Sequence, residues 1–295
     1  MSADANPLMV VSPRSRRRKR IGHVMEGIST AAAVLAIVVL GIVIFSVARK
    51  GLPALSVDFF TKSPAPVFQT GGGIENAIVG TFIMTAMATA ISVPMGVLIA
   101  IFNTEFAPPQ VAELVRLALN VLAGVPTIVI GIFIFGLLVV GNGQSAIAAS
   151  IGLSIVMLPL IARATEEVLA LVPTTLREGG MALGATRART VVTVILPTAV
   201  GGIVTATILA VARAAGETAP LLFTSSIFAN SVTTNVHQAM ASIPLTIYVD
   251  SESPSVADQH TAWAAALVLM TAVLVTGIVG RALSLRTRRQ IERAR

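Results

Sequence analysis

A charged stretch between two apolar runs decides the fold of this chain: REGGMALGATRARTVVTVILP, residues 177–197. Pro173 precedes it, and a proline at this point with Thr174 as an N-terminal cap predicts the start of a short helix. Gly184 can end that helix in a turn with positive φ. The pattern predicts a two-turn helix that lies parallel to a membrane and is small enough to occupy a groove on a partner protein.

On both sides of this stretch the chain is too apolar for a soluble protein. It has 295 residues, of which 55% are hydrophobic and 12% are charged. A membrane helix needs about 20 apolar residues to cross ~30 Å of hydrocarbon, and backbone groups in lipid favour helices over strands. Segments of about this length occur at 28–48, 77–102, 114–140, 146–162, 195–215 and 262–283. We therefore expect an all-α membrane protein with six transmembrane helices.

Two prolines inside these spans, Pro126 and Pro159, have two interpretations. They can belong to ordinary packing, in which small residues and prolines between helices are common. Alternatively, they break or kink helices that line a pathway, so that the freed carbonyl groups face protein or water. The sequence leaves both interpretations open.

Basic residues are distributed unevenly along the chain, and this predicts its orientation. Six lie in the N-terminal tail and six in the C-terminal tail from Arg281 onward, and others lie in the connections on the same side. The opposite side has Arg49, Lys50 and Lys62. The positive-inside rule places both termini in the cytoplasm, and the basic tails are expected to contact anionic membrane lipid rather than nucleic acid.

These patterns divide the chain into three parts. Residues 1–27 are expected to be a basic, disordered cytoplasmic tail, and residues 284–295 a second basic tail. Residues 28–283 form the predicted transmembrane domain. Within it, residues 163–194 make a cytoplasmic connection with helical character, which we call the coupling segment.

Several function classes are excluded by what the sequence lacks. Without cysteine, the chain has no disulfides, thiolate metal sites or cysteine nucleophile, and its three histidines have no metal-ligand spacing. There is no Gly-x-x-x-x-Gly-Lys-Ser/Thr motif to bind a nucleotide. Motifs of the Gly-x-Ser-x-Gly and His-Glu-x-x-His types are also absent. We therefore expect a protein that is not an enzyme and needs no cofactor.

The charged stretch resembles the cytoplasmic coupling motif of ABC importer membrane subunits. In that family an acidic residue and two small residues precede a glycine at fixed spacing, and a Leu-Pro pair follows. Glu178, Gly179, Gly184, Leu196 and Pro197 stand at these positions here. The two small positions are glycines where alanines are usual, and each glycine costs about 1 kcal/mol of helix propensity. The resemblance implies that this motif contacts a separate ATPase.

A second motif, ARAAGETAP at residues 212–220, resembles the PstA-type permeases of phosphate ABC importers, which belong to the binding-protein-dependent transport system inner-membrane components. Shorter pieces of the same resemblance occur in order between residues 70 and 285: Gly80-Thr81, Pro94-Met95-Gly96, Glu105-Phe106-Ala107 and Gly124-Val125-Pro126. The resemblance implies an ABC importer type I permease fold and inorganic phosphate as the transported solute.

Arg213 and Glu217 also stand out on physical grounds. An arginine in a membrane span costs at least ~2.5–3.5 kcal/mol, so Arg213 should face a cavity or a partner. Glu217, four residues on, can pair with it on one helical face. Since guanidinium binds two phosphate oxygens and stays charged, the two residues line a substrate pathway or form a structural ion pair. A second such pair is expected at the inner end of the fourth span, where Glu166 and Glu167 follow Arg163 by three and four residues. The resemblance implies that one Arg/Glu pair in this region also affects phosphate transport, although Arg163 can equally be a positive-inside residue at the membrane rim.

The resulting expectation is a permease subunit of an ATP-driven phosphate importer in the inner membrane. Its implied partners are a homologous permease subunit, two ATP-binding subunits and an external phosphate-binding protein. Three alternatives remain: a permease for sulfate, molybdate or an amino acid, a secondary transporter, and an intramembrane enzyme. A secondary transporter gives no reason for the coupling motif, and an enzyme has no candidate nucleophile or metal site.

Overall fold

The computed structural model describes the backbone of residues 13–64, 72–226 and 229–293, and the side chains of 17–64, 72–226 and 229–282. Predictions on other residues, such as the outer parts of the two basic tails, lie outside the described residues. Every regular element within these ranges is helical, as the sequence predicts. The chain forms two units, Met1–Arg49 and Lys50–Arg295.

The first unit consists, in its described part, of helix α1 (Pro13–Gly51), which continues just past the unit boundary. The helix includes the predicted span 28–48 and extends it toward the N-terminus, so residues 13–27 of the predicted tail are helical. Apolar side chains such as Leu35, Ile37 and Phe45 are exposed on it. A helix that is apolar on all faces and exposed is typical of a helix surrounded by lipid.

The second unit contains the remaining helices and, among the described residues, three turns of π-helix. The helices are α2 (Val57–Thr61), α3 (Glu75–Ile101), α4 (Pro109–Gly124), α5 (Thr127–Ile134), α6 (Ala146–Ala170), α7 (Thr174–Ala182), α8 (Arg187–Thr190), α9 (Leu196–Ala214), α10 (Ala219–Thr224), α11 (Ile243–Ser251) and α12 (Val256–Arg293). The π turns are Phe102–Phe106, Phe135–Val139 and Val191–Ile195, and Leu52–Ala54 is a short 3₁₀ turn.

Five helical segments of the described chain are long and apolar enough to cross a membrane. A sixth span is formed if Pro109–Gly124 and Thr127–Val139 together make one crossing, although they meet at an angle of 92°. Five of the six predicted spans are therefore present as single helical segments, and the third corresponds to this bent pair. The bend lies at Pro126, because proline lacks an N–H and disfavours helical geometry in the residue before it. Pro159 lies inside α6 without ending it.

Helix α6 is the centre of the second unit, and its apolar portion is mostly buried. Its most extensive packing is against α3, and it also packs on α9, α10, α4 and α5. Ala146 and Ala149 at its start pack in one cluster with Ala210 and Ala214 at the end of α9. Leu169, near its end, packs with residues at the start of α9. The two helices are therefore antiparallel.

A segment between α10 and α11 covers the start of α6. The amides of Ala146 and Ile147 donate to the carbonyls of Gln238 and Val236, at 3.0 and 3.2 Å. Helix α11 is held to α3 by the Ile243 amide, which donates to a threonine hydroxyl at 2.8 Å. Since the first amides of a helix have no partner within it, these bonds satisfy groups that would otherwise be unpaired.

Candidate functional site

The charged stretch forms the predicted short helix, α7, at Thr174–Ala182. Gly184 follows it with a φ of +82°, which confirms the predicted turn. The prediction that Thr174 caps the helix is wrong, because Pro173 takes the N-cap position and no side chain caps the first amides. Pro173 has a φ of −58° but an extended ψ of 140°, so Thr174 is the first helical residue.

The predicted ATPase-contact residues lie on two successive elements. Glu178, Gly179 and Gly184 are exposed, and no residue of α7 is buried. Leu196 and Pro197 open α9 directly after the π turn at 191–195, within one continuous helical segment. The structure therefore presents one face of α7 to the surroundings and places the Leu-Pro pair behind it, in the span.

The inner side of α7 is held by a buried ion pair that the sequence did not predict. Arg177 donates from Nε to Glu105 Oε1 at 3.0 Å and from Nη2 to the same oxygen at 2.9 Å. Its Nη2 and Nη1 also donate to the carbonyls of Leu169 and Val172 at 2.8 and 2.6 Å. Glu105 is only 2% exposed. Removing one partner of a buried pair typically costs ~3–5 kcal/mol, because the other charge is left uncompensated.

Close packing holds a second side of α7. A Cβ atom added at Gly180 would lie 2.6 Å from Thr190 Cγ2 and 2.9 Å from its Oγ1. Thr190 is buried, and its hydroxyl donates to the Thr186 carbonyl at 3.2 Å, so its side chain has little freedom to move away. Gly179, in contrast, has open space around it. Of the two unusual glycines in the motif, Gly180 is thus required by packing.

The predicted pairing of Arg163 with Glu166 or Glu167 is wrong. Glu166 Oε1 instead accepts from Arg116 Nε on α4 and from Asn103 Nδ2 in the first π turn, the latter at 2.9 Å. Two donors from other elements therefore replace the i+3 arginine, whose pairing on an isolated helix is worth only ~0.2–0.5 kcal/mol. Arg163 Nε is buried and has no hydrogen-bond partner among the described residues.

These charged residues line a cavity of about 310 Å³ at the end of α6. The cavity is formed by Arg116, Asn120, Arg163, Glu166, Glu167 and Ala170. Its volume is several times the ~30 Å³ that one water molecule occupies in the liquid. The cavity therefore has room for a small solute beside the guanidinium group of Arg163.

Arg213 and Glu217 form the predicted ion pair, with 3.6 Å between Arg213 Nε and Glu217 Oε1. The expectation that Glu217 shares a helical face with Arg213 is wrong, because α9 ends at Ala214. The amides of Gly216 and Glu217 donate to carbonyls three residues back, which tightens the chain into a turn after the helix. The Arg213 side chain is 64% exposed and that of Glu217 is 17% exposed, so the arginine has room for another partner.

The two arginine sites lie toward opposite ends of the antiparallel helices α6 and α9. Arg213 is in the last turn of α9, at the level of Ala146, where α6 begins. From Ala146 to Arg163 the helix rises roughly 25 Å at ~1.5 Å per residue. The predicted pathway residues therefore form two separate sites, and most of a membrane thickness lies between them.

A further titratable group lies away from both sites, on helix α11. Burial raises the pKa of Asp250 from its ordinary 3.8 to about 7, and the negative charge of Asp258 adds to the effect. Asp258 accepts a hydrogen bond from Ser253 Oγ at 2.6 Å. The carboxyl group of Asp250 is therefore half protonated near neutral pH.

Sequence reasoning missed Glu105, Arg116 and Asn103 as partners of the coupling segment. Glu105 and Arg177 stand in quoted motifs, but 72 positions separate them and nothing in either motif predicts the contact. The available signal was chemical: an acidic residue directly after an apolar span needs a cationic partner. That signal identifies Glu105 as a residue to pair, without identifying Arg177.

Comparison with known proteins agrees with this architecture. The chain is 39% identical over 241 residues to a probable phosphate transport system permease protein PstA of Methanocaldococcus jannaschii, covering 81% of this chain and 85% of that protein. It is 36% identical to the phosphate transport system permease protein PstA of Xylella fastidiosa, covering 92% and 96% of the two chains.

Two solved structures show the fold alone. The MetNI methionine ABC transporter in inward-facing conformations matches with a TM-score of 0.56 and 22% identity, covering 73% of this chain and 94% of that one. A bacterial alginate ABC transporter, in complex with a periplasmic protein bound to an alginate pentasaccharide, matches with a TM-score of 0.59 and 12% identity, covering 94% and 97%. The chain thus has the predicted fold of type I ABC importer permeases.

A family match extends over most of the same helices. Residues 92–289 match the family described as binding-protein-dependent transport system inner membrane component. The match includes α6, the coupling segment, α9 and the two arginine sites. This protein, a multi-pass membrane protein with a permease fold, belongs to the family of binding-protein-dependent transport system inner membrane components.

Proposed function

We propose that this chain is the permease subunit of an ATP-driven ABC importer for inorganic phosphate and forms half of its translocation pathway. The observation that carries the proposal is α7: a short exposed helix ended by Gly184, in a chain whose relatives are named phosphate transport permeases. Energy would come from two separate ATP-binding subunits, because this sequence has no nucleotide-binding motif. A homologous permease subunit and an external phosphate-binding protein would complete the complex.

In this proposal the two arginine sites serve opposite ends of the phosphate route. Arg213 would meet the anion near one end and Arg163, in its cavity, near the other. Guanidinium is suited to both positions, because its planar fork binds two phosphate oxygens and its charge does not depend on pH. The carboxylates of Glu217 and Glu167 would weaken binding enough for the anion to leave.

ATP binding and hydrolysis would act on the pathway through α7. The exposed face from Glu178 to Gly184 would occupy a groove on the ATPase, and closure of the two ATPases would move it. Rigid-body movement of packed helices is a common form of such a transition. The chain itself would make and break no covalent bond.

Uptake by the reconstituted complex tests the proposed function. Proteoliposomes with both permease subunits, the ATPases and the binding protein should accumulate labelled phosphate with ATP and not with ADP. Excess sulfate, molybdate or amino acids should not compete, and vanadate should stop uptake. Competition by another solute would assign a different substrate, and vanadate-resistant uptake would favour a secondary transporter.

The proposed orientation, with both termini cytoplasmic, has its own test. Reporter fusions after Ser231, between α10 and α11, and after Arg295, at the C-terminus, should report the periplasm and the cytoplasm respectively. The charge asymmetry of the tails supports this expectation. Identical signals from the two fusions would contradict the orientation.

A further inference from the structure

The ion pair between Arg177 and Glu105 lies outside both the proposed phosphate route and the exposed face of α7. Glu105 belongs to the π turn that ends α3, and Arg177 is on the inner side of α7. The pair therefore connects the helix that would contact the ATPase to a membrane-spanning helix that has no other charged contact with it among the described residues.

Arg177 joins three elements at one point. Its donors bind Glu105 on the π turn and the carbonyls of Leu169 and Val172 at the end of α6. Leu169 is in the last turn of α6 and Val172 lies two residues beyond its end. Carbonyls at a helix end are not all paired within the helix, so they are available to accept from a side chain. A planar guanidinium is the side chain that can bind a carboxylate and two carbonyls simultaneously. Lysine has the charge without this geometry.

Stability alone is a weak reason for such a pair. Burying both charges carries a desolvation cost that a well-packed apolar pair would avoid, so buried ion pairs add specificity of position more readily than free energy. The π turn that carries Glu105 is also a rare geometry that recurs at functional sites. Close packing of Gly180 on Thr190 fixes α7 from a second side, next to another π turn.

We infer that Arg177 and Glu105 are positioning residues that make α7 move as one body with α3 and α6, so that displacement of α7 by the ATPase reaches the membrane helices. This inference rests on the proposed function. Without the pair, α7 would still contact the ATPase, but its movement would be partly lost before it reached α3. Hydrolysis would continue while transport per ATP declined.

The experiment measures coupling and mobility in the assembled complex. Arg177→Gln, Glu105→Gln and the double variant are compared with wild type for ATP hydrolysed per phosphate imported, normalised to assembled complex. Arg177→Lys keeps the charge and serves as a milder variant. Arg281→Gln, an exposed arginine near the end of the α12 span, is the matched control. Because the chain has no cysteine, a spin label at Thr175→Cys, an exposed position on α7, reports the mobility of that helix.

Each single Gln variant should raise the ATP-to-phosphate ratio about fivefold, the low end of ordinary coupling free energies, and should make the label more mobile. The double variant should be no worse than the worse single one, since the two residues act as a unit. Arg177→Lys should lie between wild type and Arg177→Gln, and Arg281→Gln should match wild type.

If the pair had a purely structural role, the variants would lower the amount of assembled complex. The ATP hydrolysed per phosphate imported by the remaining complexes, and the mobility of the label, would then be unchanged, and this result would overturn the inference. Failure of the proposed function is distinguishable from this result. If the wild-type complex hydrolyses ATP but does not import phosphate, the proposed substrate is wrong. The label mobility in Arg177→Gln and Glu105→Gln then still decides whether the pair holds α7.

Discussion

Replacing Gly184 by valine isolates the turn that ends α7. Its φ of +82° is a backbone conformation that a residue with a Cβ atom rarely adopts, and a β-branched residue least of all. Apart from the adjacent residues, no atom lies within 4 Å of the position that a Cβ would occupy. The substitution therefore strains the local backbone without colliding with another part of the chain, and its cost can be assigned to the turn.

The expected cost is about 1–2 kcal/mol, the usual penalty of left-handed geometry for a residue with a side chain. This equals a roughly 5–30-fold decrease in the population of the intact turn. The turn contains two hydrogen bonds, from the Gly184 amide to Met181 and from the Ala185 amide to Gly180. Since the turn sets where α7 ends, phosphate uptake per complex should decrease by a comparable factor, while ATP hydrolysis decreases less.

Two glycines supply matched controls. Gly143→Val has nearly the same strain, at a φ of +84° with open space around it, but lies in the turn before α6. It should lower stability without changing ATP hydrolysed per phosphate. Gly277→Val lies in helix α12 with open space and no positive φ, and should behave like wild type. Wild-type coupling in Gly184→Val, or equal uncoupling in Gly143→Val, would refute this reasoning.

Three further predictions follow from contacts elsewhere. Gly180→Ala should lower the melting temperature of the complex, because its methyl group would collide with the buried Thr190. Gly179→Ala, which has open space and gains helix propensity, should maintain or raise the melting temperature, and equal effects of the two variants would contradict the packing argument. Asp250 keeps its proton in the folded state up to pH about 7, whereas the unfolded chain releases it above pH about 4, so its contribution to the stability is complete below pH about 4 and is lost as the pH rises through about 7. Asp250→Asn should remove this part of the pH dependence of the melting temperature. If Arg213 lines the phosphate route, Arg213→Gln should abolish phosphate uptake per assembled complex, and exchanging Arg213 and Glu217 should not restore it. If the pair is purely structural, Arg213→Gln should instead reduce the amount of assembled complex, and the exchange should restore that amount.

Local signals in the sequence were sufficient for most of the helices. The spans follow from apolar length, and α7 follows from a proline, a polar pattern and a glycine that lie within a few residues of one another. Positive φ at Gly184 was predictable for the same reason, because it depends on the residue itself. Such features need no knowledge of distant contacts.

The features that could not be predicted depend on tertiary contacts or on small backbone changes. The hydrogen bonds of a π turn span one residue more than those of an α-helix, and the apolar pattern around Val191–Ile195 is compatible with either. From the sequence, Pro126 could either break its helix or kink it mildly, and the structure has a 92° bend there. Pro159 lies inside α6 without ending it, so a proline by itself does not determine whether a helix breaks. The error at Glu217 has the same origin, since the residue has helical spacing from Arg213 but lies beyond the end of α9.

Charge pairing explains why Arg163 is the strongest candidate for anion contact at the end of α6. Its nearest sequence partner, Glu166, is already bound by Arg116 and Asn103. Glu167 lines the same cavity, but no ion pair joins it to a described residue. Arg163 Nε is buried and has no hydrogen-bond partner among the described residues, so no protein acceptor satisfies the guanidinium at this atom. In the proposed function, the neighbouring carboxylate of Glu167 would oppose retention of a phosphate anion beside Arg163, so that passage would be favoured over tight binding.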